Sequence, residues 1–175
     1  MEKTTFKPLI KNKDTMSNPT DTSKGPGVYI PPPLFYVLIF LAALFIQKKI
    51  PLDNALFQLQ VIKIAGVILL LVALFFSYRS LRQFFLSKNT LIPIKPASSL
   101  QTTGIYRISR NPMYVGLAII YLGLTCLIGN WWNLILFPLL FLIVQEYIIK
   151  REERYLKLEF GEQYEEYKKT VRRWL

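Results

Sequence analysis

The chain has 175 residues, of which 52% are hydrophobic and 19% charged, and its net charge is +11. This composition is too apolar for a soluble domain of this size and excludes a disordered chain, so we expect an integral membrane protein. The sequence contains no histidine, which excludes histidine acid–base catalysis, Ser-His-Asp triads and His-ligated metal sites. Its single cysteine, Cys126, excludes a disulfide framework and a Cys-rich zinc site.

The N-terminal half predicts a tail and two membrane spans. Residues 1–27 are polar and predict a disordered tail, and no apolar core typical of a signal peptide follows the early lysines. Residues 28–175 are expected to form one membrane-embedded domain. The apolar run Leu34–Ile46 is long enough to span only together with its uncharged flanks. The second run, Leu59–Tyr78, is predicted to continue as an amphipathic helix through Phe85.

The next segments predict a helical hairpin. Ser87–Asn111 is polar and too irregular to cross a bilayer. The segment from Asn111 to Gln145 contains no charged residue, and it is too long for one ordinary span. Gly129-Asn130, near the middle of this segment, is a turn signal. We therefore expect two short helices, Pro112–Ile128 and Trp131–Ile149. The resulting fold class is an all-α, polytopic bundle of about four transmembrane helices.

The last segment, Lys150–Leu175, is highly charged but periodic. Apolar and aromatic residues recur at helical spacing in Leu156, Phe160, Tyr164, Tyr167 and Val171. Gly161 is expected to end one helix and allow a second to begin. The segment predicts amphipathic helices at the cytoplasmic face, and the simplest role for them is to lie on lipid headgroups.

The distribution of cations predicts the orientation. Nineteen of the 22 Lys and Arg residues fall in the tail, in 79–110 and in 150–173, which lie on one side of a four-span layout. Only Lys48 and Lys49 lie on the other side, and Lys63 falls inside the second span. This bias places both termini in the cytoplasm. It also explains the positive charge as an orientation signal, so we expect no nucleic-acid partner.

Three polar clusters face the same side in this layout: residues 103–114, the charged end of the fourth span, and the C-terminal aromatic stripe. Asn111-Pro112 predicts a helix start with Asn111 as N-cap. Together with Arg107 and Arg110, its free N–H groups form a candidate anion site. A capped helix with headgroup-binding arginines explains the same residues more simply.

The other polar or small residues of the spans also have simple structural explanations. Glu146 is expected to pair with Lys150 one helical turn away. Glu152-Glu153 is typical of a solvated charge run, although spacing alone does not exclude a site. Tyr121, Gly123 and Cys126 are interpreted as packing residues in the third span.

Two groups of residues nevertheless resemble a family. The first comprises Gly104-x-Tyr106 and Arg110-Asn111-Pro112-x-Tyr114, followed by the hairpin, and the second comprises Glu152-Glu153 with Phe160-Gly161 and the aromatic stripe. In this order the two groups of residues resemble the isoprenylcysteine carboxyl methyltransferases and their phospholipid methyltransferase relatives. Within this family they resemble the bacterial type. Ile94-Lys95-Pro96 and residues 171–175 add to the likeness, which covers about residues 87–175.

The resemblance implies an enzyme of the membrane that uses S-adenosylmethionine, with no metal. It implies Arg110 and Glu153 as catalytic residues, and a cofactor site made of Gly104, Tyr106, Arg110, Asn111, Pro112, Tyr114, Glu152 and Glu153. The cofactor's ammonium is expected on a glutamate, Glu153 first, and its carboxylate on the helix start or Arg110. Eukaryotic members have Arg-His-Pro where this chain has Arg110-Asn111-Pro112. The Asn111 side chain can keep a hydrogen bond, but unlike histidine it does not titrate near neutral pH.

The expected activity is methylation of a lipidic or lipid-anchored carboxylate that enters sideways from the bilayer. A carboxylate is ionised at neutral pH and needs no base. A phospholipid amine would need one, for which Glu152, Glu153 and the tyrosines are candidates. Phospholipid N-methylation and thiol S-methylation remain alternatives. A membrane scaffold or transporter subunit and a nicotinamide-dependent lipid reductase are the rival classes. The expected location is a bacterial inner membrane.

Overall fold

The computed structural model describes residues 26–86 and 99–175, and within these ranges the ordered elements are all helical. The elements are α1 (Pro32–Lys49), α2 (Ala55–Gln58), α3 (Gln60–Leu86), a 3₁₀ turn (Gly104–Arg107), α4 (Pro112–Ile128), α5 (Trp131–Ile143), a π-helical segment (Val144–Ile149) and α6 (Lys150–Thr170). The prediction of a disordered tail falls almost entirely outside the described residues, as does the prediction for 87–98.

The helical membrane fold predicted from composition is confirmed. Helix α1, helix α3 and the continuous helix Trp131–Thr170 are each long and apolar enough to cross a membrane, and α4 is a shorter apolar helix of 17 residues. Large apolar side chains on α1 and α3 are exposed, including Leu41 and Leu71, as expected for surfaces that face lipid. Helix α3 runs without a break to Leu86, which confirms the predicted continuation beyond Tyr78.

The hairpin is formed as predicted. Helix α4 begins at Pro112 and ends at Gly129, whose φ of 74° is the left-handed conformation that favours glycine. Asn130 then caps α5, because its Oδ1 accepts a 2.9 Å hydrogen bond from the Trp132 amide. The indole of Trp132 donates to the carbonyl of Ile50, which ties the hairpin to the end of α1.

Small residues allow α3 and α4 to pack closely. A Cβ added to Gly123 would lie 3.1 Å from the Gly66 carbonyl oxygen, and one added to Gly66 would lie 2.9 Å from Cβ of Cys126. This close approach of the backbones supports the packing interpretation of Gly123 and Cys126. It also holds the C-terminal half of α4 against the N-terminal part of α3.

The second helix of the hairpin is helical over the predicted residues 131–149, and its last six residues, Val144–Ile149, form a π-helical segment. Val144, Ile148 and Ile149 in this segment are fully buried in the main hydrophobic core. The wider turn changes which side chains face the core before α6 begins.

Helix α6 continues in the same direction and breaks where predicted. The apolar part of this long helix ends at Ile149, and α6 is rich in charged residues from Lys150 onward, so α6 lies beyond the spanning part. Gly161 has φ 52° and ψ −123°, a non-helical conformation that interrupts α6. Beyond it, Tyr164 and Tyr167 are buried against Ile105 and Tyr106, which confirms the amphipathic stripe. Glu146 and Lys150 form the predicted ion pair.

Candidate functional site

The loop before α4 is held between α3 and α6. Tyr106 is buried in the 3₁₀ turn, and its hydroxyl lies 3.2 Å from Oγ of Ser80 on α3. The Tyr167 hydroxyl donates a 2.6 Å hydrogen bond to the Tyr106 carbonyl. These contacts bring the residues that precede α4 against the C-terminal end of α6, although Tyr106 and Tyr167 are 61 residues apart in sequence.

Arg110 and Glu153 form an ion pair at this junction. The Arg110 Nη2 lies 3.1 Å from Glu153 Oε1, and the side chains are only 8% and 14% exposed. Arg110 Nη1 also donates to the Tyr164 hydroxyl at 3.3 Å. Its Nε is buried and has no hydrogen-bond partner among the described residues. A buried N–H group without an acceptor is costly and is therefore suited to binding an anionic group.

Glu152 lies beside this pair but has a different environment. The Tyr114 hydroxyl donates a 2.7 Å hydrogen bond to Glu152 Oε1. Desolvation raises the pKa of Glu152 to about 7, the Tyr114 hydrogen bond opposes that rise, and the charge of Glu153 adds to it. Within the described part of the chain, no Lys or Arg lies within ion-pair distance of Glu152. Its carboxylate is therefore open to a cation.

The buried tyrosines of the site remain protonated at neutral pH. Burial is the main cause that raises the pKa of Tyr106 and Tyr167, and it raises the pKa of Tyr164 to about 12. These hydroxyls can donate hydrogen bonds, but they do not act as bases near pH 7. A carboxyl group with a pKa of about 7 is suited to act as a base at neutral pH, so Glu152 is a candidate for that role.

Asn111 does not cap α4 in the predicted way. It occupies the N-cap position, but its side chain makes no capping hydrogen bond. Instead, Asn111 Nδ2 donates a 2.9 Å hydrogen bond to the carbonyl of Arg173, because the chain after α6 passes across the start of α4. The predicted anion site also changes, since Arg110 turns to Glu153 and Arg107 is exposed to solvent.

The structure brings together most of the residues that the sequence singled out. Tyr114 contacts Glu152, Arg110 contacts Glu153, and Tyr106 is close enough to Glu152 for that charge to raise its pKa further. Pro112 is buried at the first position of α4. Gly104 is exposed, has a φ of 62°, and approaches Gln83 on α3 rather than the glutamates.

The sequence reasoning missed three contributors, namely Ser80, Ser109 and Arg173. Ser80 and Ser109 are fully buried polar residues, and nothing in their local sequence marks them. Arg173 makes two hydrogen bonds to Glu153, at 2.9 and 2.7 Å. The signal that could have found it was the resemblance of residues 171–175 to bacterial members of the family.

Comparisons with known proteins show the family of the chain. The sequence model of the family described as phospholipid methyltransferase matches residues 61–163, more than half of the chain. An uncharacterized protein of Haemophilus influenzae is 42% identical over 66 residues, which are 36% of this chain and all of that protein. The protein-S-isoprenylcysteine O-methyltransferase of Schizosaccharomyces pombe is 43% identical over 72 residues, 41% of this chain and 30% of that enzyme. No solved structure matches the chain significantly.

Proposed function

Because the chain belongs to the phospholipid methyltransferase family, we propose that it transfers a methyl group from S-adenosylmethionine to a lipidic acceptor in the membrane. Its helices support a membrane protein, and its family supports a methyltransferase. The finer assignments of cofactor and acceptor rest on the geometry of the site. The chain spans less than a third of the Schizosaccharomyces pombe enzyme, so the substrate of that enzyme enters here only as a proposal.

The observation that carries the proposal is the adjacent pair of complementary binding groups, one in the loop just before α4 and the other on α6. Arg110 has a buried N–H without an acceptor, and Glu152 has a carboxylate without a cation among the described residues. The amino-acid part of S-adenosylmethionine needs one group of each kind. The residues therefore fit this cofactor, with Arg110 and the start of α4 for its carboxylate and Glu152 or Glu153 for its ammonium.

The two glutamates are proposed to have unequal roles. Glu153 carries two guanidinium partners, Arg110 and Arg173, so it orients Arg110 as well as contributing charge. Glu152 accepts a hydrogen bond from Tyr114 and has no Lys or Arg partner among the described residues. We therefore assign the ammonium contact to Glu152 together with Glu153, rather than to Glu153 first. Arg110 and Glu153 remain the proposed catalytic pair.

S-adenosylmethionine supplies an electrophilic methyl group that leaves its sulfonium by in-line displacement. The chain's own contribution is alignment and exclusion of water. Tyr106 and Tyr114 are buried hydroxyl donors that wall this end of the bundle, and Gly104 allows the turn that brings Tyr106 into it. No residue of the chain has to act as nucleophile, which fits a site without histidine and without a reactive cysteine.

Two acceptor classes follow from the same site. A lipid-anchored carboxylate needs no base, and the name of the Schizosaccharomyces pombe relative points to that chemistry. A phospholipid amine needs a base, and Glu152, with a pKa of about 7, can fill that role when Glu153 alone holds the cofactor's ammonium. The carboxylate acceptor is the first proposal, and the amine is the second, favoured by the environment of Glu152. Thiol S-methylation remains a third acceptor chemistry for the same cofactor site.

The test begins with the cofactor and then addresses the acceptor. Purified protein in detergent should bind S-adenosylhomocysteine in calorimetry and show no thermal stabilisation by NADPH. Label transfer from methyl-labelled S-adenosylmethionine should then be measured with a prenylcysteine analogue, with phosphatidylethanolamine vesicles and with an alkyl thiol. Stabilisation by NADPH would favour a reductase, and binding of neither ligand by folded protein would favour a scaffold or transporter subunit.

A further inference from the structure

We propose that Arg173 is a positioning residue that holds Glu153 in place for cofactor binding, an inference that rests on the proposed function. Arg173 belongs to Val171–Leu175, hereafter the tail segment, which follows the end of α6. It lies outside residues 61–163, the part of the chain that the family model matches. The proposed role of Arg173 therefore rests on its contacts in this structure.

The side chain of Arg173 fixes the carboxylate of Glu153. Its Nε donates to Oε1 at 2.9 Å and its Nη2 donates to Oε2 at 2.7 Å. A two-pronged contact of this kind sets the plane of a carboxylate as well as its position. Arg110 then approaches Oε1 from the α4 side at 3.1 Å. The orientation of Glu153 toward Arg110 thus depends on Arg173.

The backbone of the tail segment fixes the start of α4. The Arg173 carbonyl accepts hydrogen bonds from Asn111 Nδ2 at 2.9 Å and from Ser109 Oγ at 3.3 Å. The Arg172 carbonyl accepts one from the Arg110 amide at 3.0 Å. Arg173 therefore contacts Glu153 through its side chain and the entry of α4 through its backbone. It joins the two halves of the proposed site.

The tail segment has anchors on both sides of Arg173. Val171 packs in the cluster that contains Ile105 and Tyr106. Trp174 stacks on Phe141 with ring centroids 4.6 Å apart, and its indole donates to Gln145 Oε1 at 3.2 Å. Because these anchors do not involve the guanidinium, we expect replacement of Arg173 to leave the fold and the path of the segment intact.

A role in binding lipid headgroups explains Arg173 less well than a role in the site. A headgroup-binding arginine projects its guanidinium into the interface, whereas Arg173 is 31% exposed and turned onto Glu153. The neighbouring Arg172 has the exposed side chain expected of a headgroup contact and gives only its carbonyl to the site. The two adjacent arginines thus form a matched pair for an experiment.

The first experiment measures the affinity for S-adenosylhomocysteine by calorimetry in folded variants. Arg173→Ala should weaken binding about tenfold, since a charge-assisted contact that positions Glu153 is lost. Arg172→Ala should stay within about twofold of wild type, because an exposed cation contributes little. Arg173→Lys should recover part of the lost affinity, because lysine restores the positive charge but not the bidentate hydrogen bonding of a guanidinium. Unchanged or tighter binding by Arg173→Ala would overturn the proposal.

A double-mutant cycle separates positioning from a general structural role. If Arg173 acts through Glu153, Arg173→Ala should have no further effect on affinity in a Glu153→Gln background. If the losses of affinity caused by Arg173→Ala and Glu153→Gln are fully additive in the double variant, Arg173 does not act through Glu153 and the proposal is overturned. A merely structural role would move the melting temperature of Arg173→Ala, whereas positioning leaves it close to that of Arg172→Ala.

A measurement without cofactor keeps this inference distinct from the proposed function. The Arg110 amide is bonded to the tail segment, so its hydrogen exchange reports whether the segment holds α4. Exchange at residues 109–111 should be the same in Arg173→Ala and Arg172→Ala, because both substitutions keep the backbone carbonyls that hold the start of α4. Faster exchange in Arg173→Ala would show that the guanidinium holds the tail segment itself, and it would contradict a role confined to positioning Glu153. If the wild type binds no S-adenosylhomocysteine, the proposed function fails, and the exchange data still decide whether the Arg173 side chain holds the tail segment.

Discussion

The Tyr114 hydroxyl donates a 2.7 Å hydrogen bond to Glu152 Oε1, and this contact joins the first turn of α4 to the first turn of α6. Both residues belong to the set that the sequence singled out, yet they are 38 positions apart. The contact also sets the proton affinity of Glu152, because burial raises its pKa and the Tyr114 hydroxyl opposes that rise. The ionisation of this carboxyl is thus controlled by the junction that builds the site.

The first prediction concerns the stability of the protein as a function of pH. The folded pKa of Glu152 is about 7, above its ordinary value of 4.5, so the folded state holds the proton more tightly than the unfolded state. The free energy of unfolding should therefore fall as the pH rises from about 4.5 to about 7, and then level off. Glu152→Gln should flatten this fall in thermal denaturation followed from pH 4 to pH 8.

Two variants control the assignment of this pH effect to Glu152. Tyr114→Phe removes the hydrogen bond that lowers the pKa of Glu152, so the upper end of the transition should move to higher pH. Glu166→Gln, at an exposed position of α6, should leave the profile unchanged. A profile that Glu152→Gln does not alter would show that another group carries the dependence.

The second prediction compares glutamates in α6 that look alike in sequence. Glu153→Gln should weaken S-adenosylhomocysteine binding about ten- to a hundredfold, because a buried charge-assisted contact is lost at about 1.5–3 kcal/mol. Glu165 pairs with Lys157 and Lys168 at the surface, so Glu165→Gln should stay close to wild type. Glu166→Gln should do the same. Calorimetry measures the affinity of the three folded variants for S-adenosylhomocysteine, and equal affinities would rule out Glu153 as a site residue.

The helices and their ends could be predicted from the sequence, but the contacts between the helices could not. Local signals located Pro112 at the start of α4, Gly129 at its end and Gly161 at the break in α6, because proline and glycine act on their own backbone. The partner of Asn111 was not predictable in this way. A side chain at a helix start has a local option in capping, and only the tertiary path of the tail segment makes the Arg173 carbonyl available instead.

The third prediction tests the close packing of α3 on α4. A Cβ on Gly66 would lie 2.9 Å from Cβ of Cys126 and 3.0 Å from the Gly123 carbonyl, so the helices must move apart to accept it. Gly66→Ala should lower the stability by about 1–3 kcal/mol, despite the higher helix propensity of alanine. Ala42→Leu, at an exposed position of α1, should be nearly neutral. Thermal denaturation in detergent compares them, and a stabilised Gly66→Ala would contradict the close approach.

The fourth prediction is that Cys126 takes no part in the chemistry. It is a free cysteine whose Cβ packs near Gly66, and no second cysteine exists in the chain. Cys126→Ala keeps that Cβ and should retain S-adenosylhomocysteine binding within a few-fold. Loss of methyl transfer in a folded, cofactor-binding Cys126→Ala protein would identify a nucleophile that the proposed mechanism does not contain.

The last prediction concerns the orientation of the bundle, for which we expect the proposed site on the cytoplasmic side. Nineteen Lys and Arg residues lie in segments assigned to the cytoplasmic side and two in those assigned to the other side. Because such a bias sets the orientation of membrane proteins, fusions of a compartment-sensitive reporter after residue 54, after residue 95 and after residue 175 should read outside, inside and inside. Replacing Lys48 and Lys49 by neutral residues should leave this pattern unchanged, since it only strengthens the bias. A reporter that is active outside after residue 175 would place Arg110 and Glu153 on the side without S-adenosylmethionine, and the proposed function would then be untenable.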